Sequence, residues 1–171
     1  YPAEYLETLK ARRFPPEMPI EPIRYESYQP PLYYVLAALV YRLANAVGWP
    51  TLLALRGLSV ILGAACLLVG YRAMRVLLPA EPELALGATA FAATLPMQIA
   101  MTAGVNSDVL IQLIIVFVAY QLLRMRRDDW TPRRSLALGA LLGLAFLTKL
   151  WAYLAFGLAL AALAWDAWTA Q

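Results

Sequence analysis

Beyond about residue 50 the chain alternates apolar runs of bilayer-spanning length with short polar breaks, a pattern that predicts membrane-crossing helices. Residues 56–78 read as one span, with Arg72 and Arg75 snorkelling at its far end. Residues 84–105 read as a second, kinked at Pro96, which is tolerable because neighbouring helices re-satisfy the freed carbonyl. Residues 109–124 read as a third. From Ser135 to Trp168 the apolar stretch is too long for one span of about 20 residues. It is expected to fold back near Thr148-Lys149-Leu150, giving helices over 135–149 and 151–168 joined by a tight polar corner.

Residues 1–50 follow a different rule and read as an external loop. Pro15-Pro16, Pro19, Pro22 and Pro30-Pro31 forbid a long helix before residue 32. Pro2 can open a short helix over 2–13, with Tyr5, Leu6 and Leu9 as its apolar face, lying on the membrane rather than crossing it. Over residues 32–48, Leu32, Val35, Leu36, Leu39, Val40, Leu43 and Val47 form an apolar stripe. Tyr34, Tyr41, Arg42 and Asn45 gather opposite. That is the pattern of a helix lying in the interface plane. A true span is the alternative, although the segment is short for one.

Composition then sets the class. Hydrophobic residues make up 62% of the 171, more apolar surface than a soluble domain of this size can hide. The expected fold is all-α: a polytopic transmembrane helix bundle whose external loop contains interfacial helices. There is no histidine, so haem, chlorophyll and most zinc or copper sites lose their usual ligand. Cys66 is the one cysteine, in an apolar run, which excludes a disulfide framework within the chain and reads as a small buried hydrophobe. The net charge of +3 comes from basic residues beside membrane segments, so no nucleic-acid partner is expected. The chain lacks an initiating Met and opens in a polar stretch. It therefore reads as a piece of something longer, and a catalytic residue can lie outside it.

Charge also orients the bundle. Arg124, Arg126, Arg127, Arg133 and Arg134 crowd one short loop, which is assigned to the cytoplasm. Counting helices from there puts Asn106-Ser107-Asp108, Lys149 and Gly48 to Thr51 outside. Lys10, Arg12, Arg13 and Arg24 in the external loop run against the rule, and its glutamates offset their charge without removing the conflict.

On this layout Glu26, Tyr28, Gln29, Asn106, Asp108 and Lys149 meet on one face, from three separate parts of the sequence. A charge at the bilayer centre costs about 2.5–3.5 kcal/mol even on the lenient insertion scale, so charges at such places usually line a pocket. Each residue also has a plainer reading. Asp108 can cap the helix that follows it, Lys149 can be a snorkelling anchor, and Tyr33 and Tyr34 can be ordinary interface aromatics.

The string Glu26-Ser27-Tyr28-Gln29-Pro30-Pro31-Leu32-Tyr33-Tyr34 resembles the E-x-H-Q-P-P-L-Y-Y turn of bacterial polyprenyl-phosphate-dependent glycosyltransferases of the GT-C class. That class includes the family 39 protein O-mannosyltransferases and the aminoarabinose transferases. Arg56-Gly57-Leu58-Ser59 resembles the start of the class's next span, Asn106-Ser107-Asp108 its second outward acidic motif, and Gly139 to Lys149 its G-x-x-x-G-L-A-x-x-T-K helix. All four agree in order and spacing and cover nearly the whole chain, as the N-terminal membrane half of such an enzyme.

The resemblance implies a GT-C-like bundle in a bacterial cytoplasmic membrane. It also implies a polyprenyl-phosphate sugar as donor partner and transfer with inversion on the extracytoplasmic face. Lys149, Gln29, Asn106 and Tyr28 become candidates for the donor phosphate and sugar. Asp108 becomes the candidate ligand of a divalent metal, the one cofactor the chain suggests. The sequence departs from the class at two places. The Asp-Glu pair that supplies the catalytic base is expected upstream of Tyr1, leaving the catalytic residue unassigned here, and Tyr28 stands where the class has His. Two other readings stand beside the enzyme. One is a non-catalytic transmembrane subunit derived from such an enzyme, packed through small residues (Gly63, Ala64, Ala65, Gly139, Gly143) against other membrane subunits. The other is a transporter half, although no internal repeat is visible.

Overall fold

The computed structural model describes residues 2–15, 17–23, 29–128 and 130–169. Among these the chain is helical throughout, with no strand. The helices are α1 (Ala3–Ala11), α2 (Leu32–Ala46), α3 (Thr51–Leu77), α4 (Pro82–Thr94), α5 (Pro96–Ala103), α6 (Asp108–Asp128), α7 (Pro132–Thr148) and α8 (Tyr153–Thr169). Short 3-10 turns stand at Glu21–Ile23 and Leu150–Ala152.

Helix α6 is the centre of the bundle because it is apolar on more than one side. Ile111, Ile114, Val118, Leu122 and Met125 recur every three or four residues and are buried. The upper part of this stripe packs with Tyr33, Ala145 and Ala152, the lower part with Leu138, Ala155 and Ala159. Leu113 belongs to a second face that meets Cys66 and Val69 of α3. Helix α3 also accepts α5 closely at Gly63. A methyl group built there would stand 2.2 Å from Thr102 Cγ2, so only hydrogen fits.

Helices α3 and α6, of 27 and 21 residues, are long and apolar enough to cross a bilayer, and α4 with α5 makes a third if the bent pair is one span. Helix α3 begins at Thr51, five residues ahead of the apolar run read from the sequence. The expected kink at Pro96 is a full break: Leu95 is extended at φ −62° and ψ 127°, and the two helices meet at 62°. The residue before proline is driven out of the helical region, which gives the break its place. The last apolar stretch divides at Lys149 into α7 and α8, of 17 residues each. At 1.5 Å per residue each spans about 26 Å, slightly less than a hydrocarbon core of about 30 Å.

Helix α2 turns only part of the apolar stripe read in its sequence toward the protein. Tyr33 and Ala44 are buried, and Leu36 and Ala37 pack beside Tyr33, while Val35, Leu39 and Leu43 stay more than half exposed. Tyr33, Ala37 and Ala44 with Leu32 and Leu36 thus make the protein contact, and the Val35–Leu39–Leu43 edge of the aliphatic stripe is uncovered by protein. Gly48, at φ +69°, ends this helix in the left-handed conformation, with the Trp49 amide donating to the Ala44 carbonyl at 2.8 Å. Helix α1 packs against the Glu21–Ile23 turn. Leu9 is fully buried, and the Tyr5 hydroxyl donates to the Pro19 carbonyl at 2.8 Å.

Candidate functional site

Lys149 and Asp108, 41 residues apart in sequence, form an ion pair in which the Lys149 ammonium donates to Asp108 Oδ1. Two local features of the backbone bring them together. Helix α7 stops at Thr148, and Lys149 is extended at φ −160° and ψ 148°. Its amide donates to the Ala145 carbonyl at 3.1 Å, and its carbonyl accepts from the Ala152 amide at 3.1 Å. The corner is therefore pinned on both sides. Thr148, fully buried, closes the last turn by donating from its hydroxyl to the Leu144 carbonyl at 2.7 Å.

On the other side, α6 starts at Asp108 itself. The cap is Asn106: its Oδ1 accepts from the amides of Asp108 at 3.0 Å and Val109 at 3.3 Å. Its Nδ2 donates to the Met101 carbonyl at 3.0 Å, tying the end of α5 to the start of α6. Asn106 is thus the capping residue in place of Asp108, and its side chain is engaged with backbone rather than open to a ligand. The Asp108 side chain is left free to face Lys149.

The pair is unequal in its exposure. The Lys149 side chain is 11% exposed and the Asp108 side chain 37%. The ammonium therefore sits inside while its carboxylate partner reaches a cavity of about 360 Å³. Met97, Gln98 and Met101 of α5, Asp108, Ile111 and Gln112 of α6, and Leu154 of α8 line that cavity. An incoming group meets one carboxylate and two amides in a wall that is otherwise apolar.

Helix α2, the turn before it and α3 bring further buried polar atoms into the bundle. Tyr33, read from sequence as an ordinary interface aromatic, is 2% exposed and packs on Leu110, Ile111 and Ile114 of α6. Its hydroxyl is buried and faces Ser59, and the Oε1 of Gln29 is buried with no hydrogen-bond partner among the described residues. Ser59 is also fully buried, with its hydroxyl 3.5 Å from the Leu55 carbonyl. Gln29 thus carries an unmatched acceptor on the turn that leads into α2. Tyr28 and Glu26 lie outside the described residues.

Two functional candidates were passed over in the sequence. Gln112 Nε2 donates to Gln98 Oε1 at 2.7 Å, joining α5 to α6 inside the cavity wall. The signal was present, since an amide within an apolar run is itself a mark of a lined cavity or a helix contact. The metal expectation for Asp108 meets a poor donor set. Its carboxylate is matched by the Lys149 ammonium, and no group of three His, Cys, Asp or Glu side chains comes together among the described residues. A divalent cation prefers several oxygen ligands, and these residues do not supply them.

The opposite end of α6 is closed by charge. Arg124 pairs with Asp128 at 2.7 Å and Arg134 reaches the same carboxylate at 3.2 Å. Arg134 also donates to the Arg124 carbonyl at 3.3 Å, and Arg126 to the Ala162 carbonyl at 3.1 Å.

Neither a curated protein nor a solved structure matches the chain. The family model of the dolichyl-phosphate-mannose-protein mannosyltransferases matches residues 28–171, a stretch that holds α2 through α8, the Lys149–Asp108 pair and the cavity beside it. The chain therefore belongs to that family of GT-C membrane glycosyltransferases, which draw on lipid-linked sugar donors.

Proposed function

We propose that this chain carries the donor-phosphate end of a glycosyltransferase that moves a sugar from a polyprenyl-phosphate donor to an acceptor on the extracytoplasmic face of a bacterial cytoplasmic membrane. The observation that supports this reading is the buried ammonium of Lys149, held by Asp108 at the mouth of an apolar cavity. The leaving group of such a transfer is a phosphate that gains negative charge as the glycosidic bond breaks. A fixed cation in a water-poor site lowers that barrier more than it would in bulk solvent. Lys149 supplies a compact, strongly charged donor. Asp108 keeps the ammonium aimed, and Asn106 fixes the start of α6 so that the carboxylate stays in place. Gln29 Oε1, an acceptor without a partner among the described residues, suits a sugar hydroxyl or an amide of the substrates. Tyr28 stands next to it in sequence and belongs to the same proposed contact.

The test uses the full-length protein in purified membranes with a labelled polyprenyl-phosphate sugar. Lys149→Ala and Asp108→Asn are each expected to lower transfer at least about ten-fold, while the protein still assembles in the membrane. Unchanged transfer in both variants overturns the assignment.

A second reading has its own observation. The ion pair satisfies both charges and ties the α7–α8 corner to the start of α6, so it can act as a structural clip in a subunit of a larger membrane complex. A clip tolerates exchange of its two charges, whereas a phosphate site does not.

A further inference from the structure

The Gln98–Gln112 amide pair plays no part in the transfer reading, and its surroundings point to a different ligand. The pair stands between two cavities. One, of about 360 Å³, opens toward Asp108; the other, of about 390 Å³, lies between α3 and α4 and is lined by Cys66, Gly70, Ala88 and Leu95. Gln98, Gln112 and Val116 line both. Met97, 72% exposed, and Leu95, 42% exposed, bring the edges of the cleft to the outer surface of the bundle.

Within this apolar cleft the Gln98 side chain is half satisfied. Its carbonyl accepts from Gln112, but its Nε2 is buried with no partner among the described residues. A buried amide N–H without an acceptor is unfavourable, and hydrocarbon cannot relieve it. The last torsion of glutamine is soft, so a small turn presents this N–H to either cavity. Gln112 is one helical turn, about 6 Å, inward from Asp108 at the start of α6. Headgroup layers add about 5–8 Å to each side of the hydrocarbon core. If Asp108 stands among headgroups, the amide pair stands at the core boundary, where the ester carbonyls of glycerolipids lie.

We infer that the cleft on either side of Gln98–Gln112 is a binding site for a diacyl glycerolipid, with the Gln98 amide donating to an ester carbonyl and the acyl chains occupying the two apolar cavities. A polyprenyl chain would leave the Gln98 amide unmatched, because it offers no acceptor beyond its phosphate. The site adjoins that of the proposed sugar donor, since Asp108 lines one of the two cavities, but the ester contact at Gln98 does not depend on sugar transfer. The broken helix serves the site directly: the turn at Leu95–Pro96 swings α5 off the α4 axis and opens the space that the second cavity occupies.

The experiment is native mass spectrometry of the purified full-length protein, titrated with dioleoyl phosphatidylglycerol or with its diether analogue, which lacks the carbonyls. The ester lipid is expected to bind about three- to ten-fold more tightly, the range of one net hydrogen bond. In Gln98→Met the two lipids are expected to bind alike. Equal binding in the unaltered protein overturns the proposal, and so does a preference that persists in Q98M. Should Q98M fail to accumulate, Gln98→Asn shortens the side chain by one methylene and serves the same comparison. Because the readout is binding and not sugar transfer, its outcome is separate from that of the transfer assay.

Discussion

The two ends of α6 are both rich in charge, yet they are built on opposite plans. At the Asp128 end the cations are turned onto acceptors of the protein itself: Arg124 and Arg134 share Asp128, and Arg126 and Arg134 donate to backbone carbonyls. At the Asp108 end a single carboxylate, paired with a buried ammonium, lines a cavity, and two buried polar atoms, Gln98 Nε2 of the same lining and Gln29 Oε1 on the turn before α2, lack partners among the described residues. Arg75 Nη1 is also unmatched, on α3, but a guanidinium has other N–H groups to engage. Buried polar groups left open in an otherwise well-packed bundle mark where a ligand belongs. Charge density alone would have pointed to the arginine end. The unmatched hydrogen-bonding capacity points to the other.

The largest expected effect comes from exchanging the two charges of the pair. Asp108→Lys with Lys149→Asp is expected to restore assembly relative to either single reversal, yet transfer should stay at least about ten-fold below wild type. Recovery of transfer together with assembly would favour the clip over the phosphate site. Next in size is the contact that positions α5. Gly63→Ala drives a methyl into Thr102, whose rotamer is held by hydrogen bonds to the Gln98 and Ile99 carbonyls at 2.9 and 3.1 Å. A loss of about 1–3 kcal/mol is expected from such overpacking. Thr102→Ser, which removes the clashing methyl, should recover most of it, and thermal unfolding in detergent for the two single variants and the double variant measures the coupling.

Asn106→Ala should cost about 1 kcal/mol through the lost cap. It should also reduce transfer, because the start of α6 carries Asp108; a stability loss with full transfer would show that the carboxylate does not need that anchor. The smallest effect is expected at the far end. Asp128→Asn should leave transfer at the wild-type level, since exposed ion pairs contribute little and this one lies at the opposite end of α6 from Asp108. A marked fall there would erase the contrast between the two ends.

Much of this architecture was readable from residue patterns. The helical character, the break at Pro96 and the reversal at Lys149 follow from local rules: proline excludes the preceding residue from the helix, and an apolar run of 34 residues between Ser135 and Trp168 exceeds one crossing. Asp108 and Lys149 could be nominated because charges are rare in such company. Their neighbours could not be ranked in the same way. Asn106 is a candidate ligand by sequence and also the cap of α6 in the structure, because which of three consecutive polar residues caps a helix depends on where the helix begins. Tyr33 looked like one interface aromatic among several. Its burial depends on α2 laying the Tyr33–Ala37–Ala44 side against the bundle, although the aliphatic stripe of the same helix is the more apolar.

The sequence by itself determined the class of molecule, the positions of its breaks and the two ionic residues worth watching. These depend on composition and on neighbours within a few residues, where proline geometry and the aversion of charge to hydrocarbon act locally. Only the tertiary structure decided that Lys149 pairs with Asp108 across 41 residues, that Gln98 meets Gln112, and that two cavities flank that amide pair. Those facts depend on how α5, α6 and α7 approach one another. Such approaches are set by the summed packing of many small contacts, Gly63 against Thr102 among them, and no local pattern encodes that sum.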